Sequence, residues 1–384
     1  MADSSFQRGA RIRFGKLFRL RARFLAVAGE SIHGCFVDDS TRNLEPLRTH
    51  ESYRMGRRVF MGLLAGMGLL LSGGRLEAEP KINGVAYTTL KTIGKQLGLR
   101  HKWVQADRHV MLSASDTKLS MEVNKRDIQV NGIRVYLGFP VAMLNGDLAI
   151  STLDYEKTLQ ALLLPHRFKP VPRLVRIAID AGHGGKDPGA QNKSLKLVEK
   201  QLTYDLSKRL QKLLTARGFT ISLLRTKDEF IALEKRTLQA NSAKADFFVS
   251  LHFNAANETT VRGVETYAYT PVDQPSTSRS KVVADDRTVD PAHRHNPWNT
   301  LAAFYIQRAM ADQLETEDRG MKRARFTVLK GLNCPGVLVE GGFLTHATEG
   351  RNLASTAYRE RLARAIAEGI VAYQNTLKRA ASKT

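Results

Sequence analysis

The stretch "VRIAIDAGHGGKDPGA", residues 175–190, decides the fold. Val175, Ile177 and Ile179 alternate with Arg176 and Ala178 and read as a strand entering a core. Gly182, Gly184, Gly185, Pro188 and Gly189 then break the chain into a turn whose backbone can approach another group closely. His183 stands inside that turn. The turn does not fit a phosphate cradle, because no Gly-Lys-Ser/Thr follows and the glycine spacing of a dinucleotide site is missing. A histidine alone in a loop is more often just that, so the meaning of His183 depends on what else reaches the same place.

From Leu174 onward, strands and helices alternate. The helix beginning near Glu199 carries Leu202, Leu206, Leu210 and Leu213 as a stripe and ends at Gly218. "FTISLL", a helix at 233–244, "DFFVSLH" and "GVETYAYT" follow. After a polar stretch at 271–298 come a helix from about Asn299 to Leu314, strands "RFTVL" and "GVLVE", and a terminal helix at roughly 348–377. This alternation predicts an α/β fold, a mainly parallel sheet covered by helices, with ligands gathered at the carboxyl ends of the strands.

Four side chains arrive at that edge: His183 after the first strand, His252 ending "FFVSLH", Glu340 ending "GVLVE", and Glu199 opening the helix after the glycine-rich turn. Two histidines and a carboxylate form a common ligand set for catalytic zinc, and a further carboxylate supplies a general base. Individually, Glu199 also fits a helix-dipole partner and Glu340 a buried structural acid. Their joint arrival favours the metal reading.

"IDAGHGGKDPGA", "VEKQLTYDL", "LLRTKD", "LEKRTLQANSAKADFFVSLHFNA", "RGVETY" and "CPGVLVEGGFLT" resemble, in order and spacing, the motifs of the zinc-dependent N-acetylmuramoyl-L-alanine amidases of the third amidase class. The resemblance covers about residues 174–375. It implies one zinc ion per catalytic domain, held by His183, Glu199 and His252, with Glu340 as the catalytic acid–base group. Gly341 stands where many members of the family carry leucine; Gly342 and Phe343 keep the pattern. The implied reaction is hydrolysis of the amide bond between N-acetylmuramic acid and L-alanine in peptidoglycan. Arg225 and Arg236, also within matching motifs, fit support of the metal ligands from behind or substrate-carboxylate binding, and equally a surface or core ion pair.

The polar stretch 271–298 carries Pro271, Pro275, Pro291 and Pro297 and offers no apolar face for a long helix. It is expected to be a flexible loop at the rim of the cleft, unlike the inhibitory helix that some members of this family place over the zinc. His293 and His295 are rival metal ligands there, but their charged setting favours solvated side chains.

Upstream, residues 80–165 alternate short strand-like runs with Asn-Gly turns at 83–84, 131–132 and 145–146. "NGVAYTTL" is echoed by "NGDLAISTL". This β-rich α+β module resembles the small domain named after the N-terminal region of copper amine oxidases. It has no cluster of metal ligands, so no copper is implied; a role in attachment or positioning is expected, and its removal is expected to leave cleavage of small soluble substrates nearly unchanged. Residues 166–173 read as a linker, and the catalytic domain as 174–377.

Residues 55–74, "MGRRVFMGLLAGMGLLLSGG", order charge, apolar run and small residues as an export signal does. The run is shorter than the ~20 residues of a membrane span, so none is expected in the mature protein. "RRVFM" resembles the twin-arginine signal; Sec export is the alternative. Residues 1–54 are then either a basic extension or a mis-assigned start, with Met55 the favoured first residue. The chain is expected in the periplasm or cell wall.

The 384 residues carry a formal charge of +22. Residues 1–74 hold twelve Lys/Arg and six Asp/Glu, so their removal leaves +16. Such a charge selects an acidic partner, and outside the cytoplasm that is the wall; nucleic acid conflicts with export and no motif supports it. Cys35 and Cys334 are too few for a disulfide framework or cysteine metal site. A zinc peptidase cutting within stem peptides and a non-catalytic wall-binding protein are the competing readings; besides peptidoglycan, an activator protein is left open as a partner.

Overall fold

Three strands buried along nearly their whole length form the middle of the catalytic sheet: β10 (Arg176–Ala181), β14 (Phe247–Asn254) and β17 (Gly336–Phe343), in a computed structural model that describes residues 80–383. The basic extension at 1–54 and the export signal at 55–74 lie outside the described residues.

The small domain comes first. It contains β1 (Lys81–Ile82), β2 (Val85–Thr89), α1 (Leu90–Leu97), β3 (Arg100–Gln105), β4 (His109–Ser113), β5 (Lys118–Glu122), β6 (Asp127–Val130), β7 (Ile133–Tyr136), β8 (Ala142–Leu144) and β9 (Asp147–Ser151). Short helices α2 (Thr152–Asp154) and α3 (Gln160–Leu163) close it. The Asn-Gly pairs at 83–84, 131–132 and 145–146 all hold both residues at positive φ, the backbone of a type I′ hairpin. The echo between the two Asn-Gly-led segments is physical: β2 and β9 pair antiparallel, Tyr87 opposite Ser151, and each runs directly into a helix.

In the catalytic domain, a two-stranded hairpin of β11 (Gln191–Asn192) and β12 (Leu197–Val198) separates β10 from α4 (Glu199–Thr215). There follow β13 (Thr220–Leu223), α5 (Leu233–Ser242), β14, β15 (Val264–Tyr269), α6 (Asn296–Gln313), β16 (Asp318–Ala324), α7 (Thr327–Lys330), β17, α8 (Ala347–Ala354) and α9 (Thr356–Ser382). The strand order is β13-β10-β14-β17-β15-β16, and it continues without a break into β7-β6-β5-β4-β3 of the small domain. Strands β13, β10, β14 and β17 are mutually parallel; β15 runs antiparallel to β17, and β16 parallel to β15. Alternate residues serve opposite faces. Ile177, Ile179, Val249 and Leu251 join α4, α6 and α9 in the main core, whereas Ala178, Phe248 and Leu338 join Val328 and Leu329 of α7 on the other side.

Three expectations are corrected here. "RFTVL" is not a strand: the strand is the preceding "DRGMKRA", and Thr327–Lys330 is helical. The terminal helix is two helices, broken at Ser355. The stretch 271–298 is neither a free loop nor part of the cleft rim. Because β15 is antiparallel to β17, it starts at the edge where β10, β14 and β17 end and finishes at the opposite one, and the stretch departs from there. It is packed in place: Gln274 and Asp286 are fully buried, Arg325 pairs with Asp286 and Asp290, and two 3-10 turns form at Ala284–Arg287 and Pro291–His295.

The two domains share this region. Val135 of β7 pairs with Met321 of β16, and the Arg134 N–H donates to the Asp318 carboxylate at 2.8 Å. Buried Asp154 accepts from Gln274 Nε2 at 2.9 Å, and Arg126 donates to the carbonyls of Thr277 and Arg279. Arg323, 2% exposed, donates to Thr158 of the small domain and Thr300 of α6. The small domain is therefore built onto the catalytic sheet and does not hang from a linker.

Candidate active site

Two buried arginines shape the turn after β10. Arg236 pairs with Asp180 at 2.5 Å and donates to the carbonyls of Ala181 and His183; Arg225 donates to the carbonyls of Ala181, Gly182 and Lys200. Both are 2% exposed. Neither arginine lines the cleft: both support from behind the turn that carries His183, Arg236 with a buried ion pair to Asp180 and Arg225 through carbonyls. Their grip offsets the cost of a left-handed backbone at His183, φ 62°, which is on the order of 1–3 kcal/mol for a non-glycine residue. Gly182 and Gly189 are required by what they face. A Cβ at Gly182 would overlap the His252 imidazole, and one at Gly189 would overlap Glu199 Oε2 and the His183 ring.

The turn brings His183 against the first residue of α4 and the end of β14. His183 Nε2 lies 3.0 Å from Glu199 Oε1, and His252 Nδ1 lies 3.1 Å from the same oxygen. One ligand atom from each of His183, Glu199 and His252 can be chosen so that all lie within 4.8 Å of one another. His183 Nδ1 is engaged by Asp187 at 2.8 Å, which turns Nε2 toward the other two residues. Glu199 is braced by the N–H groups of Phe253, at 3.0 Å, and Ala190, at 2.8 Å. Burial would raise its carboxyl, but hydrogen bonds and charge from His183 and His252 outweigh that and keep it ionised. Burial likewise depresses His183, yet Glu199 and Asp187 hold it above its ordinary value. Two imidazoles and an ionised carboxylate converging in this way fit zinc.

Glu340 sits across the ladder from His252 on one side and Glu265 on the other. It is 2% exposed and lines the cleft, and its Oε2 has no hydrogen-bond partner. Burial first, then the charges of Glu199 and Glu265, push its carboxyl well above the usual range. Glu265 is clamped by Arg319, by Lys322 at 2.7 Å and by the Tyr267 hydroxyl at 2.6 Å. The cleft has a volume of about 300 Å³, and His183, Glu199, His252 and Glu340 all line it. The four residues singled out in the sequence are thus brought together.

His293 and His295 are not among them. His293 bonds to Asp290 and the Thr270 carbonyl at the far edge of the sheet, so the fourth-ligand alternative lapses. Sequence reasoning missed Asp187 and the Glu265 cluster. Asp187 had a usable signal, lying four residues after His183 in a turn; Glu265 had none, because one acidic residue in a strand does not announce its partners.

The family described as N-acetylmuramoyl-L-alanine amidase matches residues 177–372, and that described as copper amine oxidase N-terminal domain matches residues 73–161. Among curated proteins, N-acetylmuramoyl-L-alanine amidase LytC of Bacillus subtilis is 36% identical over 197 residues, spanning 51% of this chain and 35% of that protein. The sporulation-specific N-acetylmuramoyl-L-alanine amidase of the same organism is 33% identical over 211 residues, spanning 54% of this chain and 72% of the relative. Among solved structures, an N-acetylmuramoyl-L-alanine amidase of Clostridium difficile 630 aligns with 30% identity and a TM-score of 0.45, over 53% of this chain and 98% of that one.

Proposed function

The chain belongs to the N-acetylmuramoyl-L-alanine amidase family, and on that premise we propose that it hydrolyses the amide joining the lactyl group of N-acetylmuramic acid to L-alanine in peptidoglycan. The observation that carries this reading is one cleft holding His183, Glu199 and His252 in ligand geometry beside Glu340, whose Oε2 is unpartnered. The three residues would hold zinc, which when bound supplies Lewis acidity, lowering the pKa of water toward ~7 and drawing charge from the scissile carbonyl.

The protein's own groups do the rest. Asp187 fixes the His183 tautomer, and the Phe253 and Ala190 amides fix the Glu199 carboxylate. Glu340 takes the proton from the attacking water and returns it to the departing alanine nitrogen. A burial-raised proton affinity suits the second half of that task, because the carboxyl must hold the proton until the amine leaves. The products are a peptide-free glycan and a stem peptide with a free amino terminus.

We place this activity outside the cytoplasm, with residues 55–74 as the export signal and the twin-arginine route as its path. No helix among the described residues is long and apolar enough to cross a membrane.

The zinc assignment is tested by metal analysis. Purified residues 75–384 should carry one zinc per chain, and chelation should abolish hydrolysis until zinc is restored. His183→Ala or His252→Ala should weaken zinc binding by at least about 100-fold, beyond the 10–100-fold typical of losing a supporting partner. Full hydrolysis by verified metal-free protein would end this reading.

A further inference from the structure

The hairpin of β11 and β12 stands between the catalytic turn and Glu199 and forms one wall of the cleft through Gly189, Ala190, Gln191 and Lys193. Its tip is fastened. Asn192 donates from Nδ2 to the Leu344 carbonyl at 2.7 Å, and its Oδ1 accepts from the Leu195 N–H at 3.0 Å and the Ser194 hydroxyl at 2.8 Å. Lys193 projects from this fixed tip and is exposed. It is the one lysine or arginine in the cleft wall among the described residues, and its side chain makes no ion pair there.

Neighbouring cations are engaged differently. Lys200 is tied to Asp228 at 2.7 Å and to the Gly185 carbonyl, and Lys186 lies over the Phe230 ring. Lys193 is therefore a free positive charge on a rigid support, in a cleft that already holds the carboxylate of Glu199 and the acid Glu340. Among the side chains lining the cleft, Lys193 is the one cation not already neutralised by a neighbour, and a carboxylate of an entering ligand gains most from that side chain. If the scissile bond lies beside Glu340, the leaving half of the substrate is a peptide that bears carboxylates.

We infer that Lys193 receives a stem-peptide carboxylate and makes the enzyme favour stems whose second residue keeps its free α-carboxylate over stems in which that group is amidated. The inference rests on the amidase reading. A solvent-accessible charged contact of this kind is worth up to about 1 kcal/mol, which is a preference of about fivefold.

The experiment compares N-acetylmuramoyl-L-alanyl-D-isoglutamate with N-acetylmuramoyl-L-alanyl-D-isoglutamine as substrates of the zinc-loaded protein. The expected wild-type ratio of kcat/KM, acid over amide, is about five and shrinks with added salt. In Lys193→Met the ratio falls to about one, through a higher KM for the acid. Lys193→Arg keeps the preference, and Lys193→Glu reverses it. A wild-type ratio of one, or a ratio unchanged in Lys193→Met, overturns the inference while leaving the amidase reading intact. A zinc-loaded wild type that cleaves neither compound overturns the amidase reading and this inference with it.

Discussion

Glu340→Gln should lower kcat by about 10³-fold, within the 10²–10⁴ range of a positioned acid–base group, while zinc content stays at the wild-type level. The substitution keeps the volume of a side chain that is 2% exposed, so packing does not change, and it removes only the ability to take and return a proton. It should also leave the fold no less stable. Burial and the charges of Glu199 and Glu265 disfavour the ionised form of Glu340. A carboxyl whose pKa is raised by folding favours the folded state below its unfolded pKa of about 4.3, and that contribution is lost as pH rises through the folded value. In zinc-free protein, the melting temperature of Glu340→Gln relative to wild type should therefore improve as pH rises above about 4. Near-normal turnover would mean that another group moves the proton. Loss of zinc with Glu199→Gln still metallated would reverse the two carboxylates.

Cutting away residues 80–165 should lower the melting temperature of the catalytic domain by about 10 °C and reduce its activity on soluble substrates, against the expectation drawn from sequence. The cut leaves β16 as an open edge where β7 had paired and removes the Thr158 hydroxyl from buried Arg323. It also strips Gln274 of Asp154 and leaves the carbonyls of Thr277 and Arg279 without Arg126. Each hydrogen bond lost at the junction is worth about 1 kcal/mol, several are lost together, and for a domain of this size each kcal/mol is about 2–4 °C. Calorimetry of residues 166–384 beside residues 75–384 checks this. Equal melting temperatures would restore the picture of a detachable attachment module.

The sequence showed the site more clearly than the frame around it, for physical reasons. His183 sits just past a strand and Glu199 at a helix start, while His252 and Glu340 lie in the carboxyl-terminal halves of β14 and β17; such positions are marked by glycine, by apolar runs and by a change of period. β16 carries no such mark. "DRGMKRA" is polar because Arg319 and Lys322 serve Glu265 while Arg323 serves the domain junction, so its charges are satisfied inside the protein and imitate a loop. The reversal of β15 leaves no local trace either, since strand direction is set by its neighbours. That one reversal moved 271–298 from the expected rim to the far edge, where the small domain meets it.

The central claim is the identity of the bond, and mass spectrometry of digested wall tests it most directly. Zinc-loaded residues 75–384 incubated with purified peptidoglycan should release stem peptides beginning with a free L-alanine amine and leave glycan with unsubstituted lactyl carboxylates. Release of peptides cut within the stem, with the N-acetylmuramoyl–alanine bond still intact, would contradict the account.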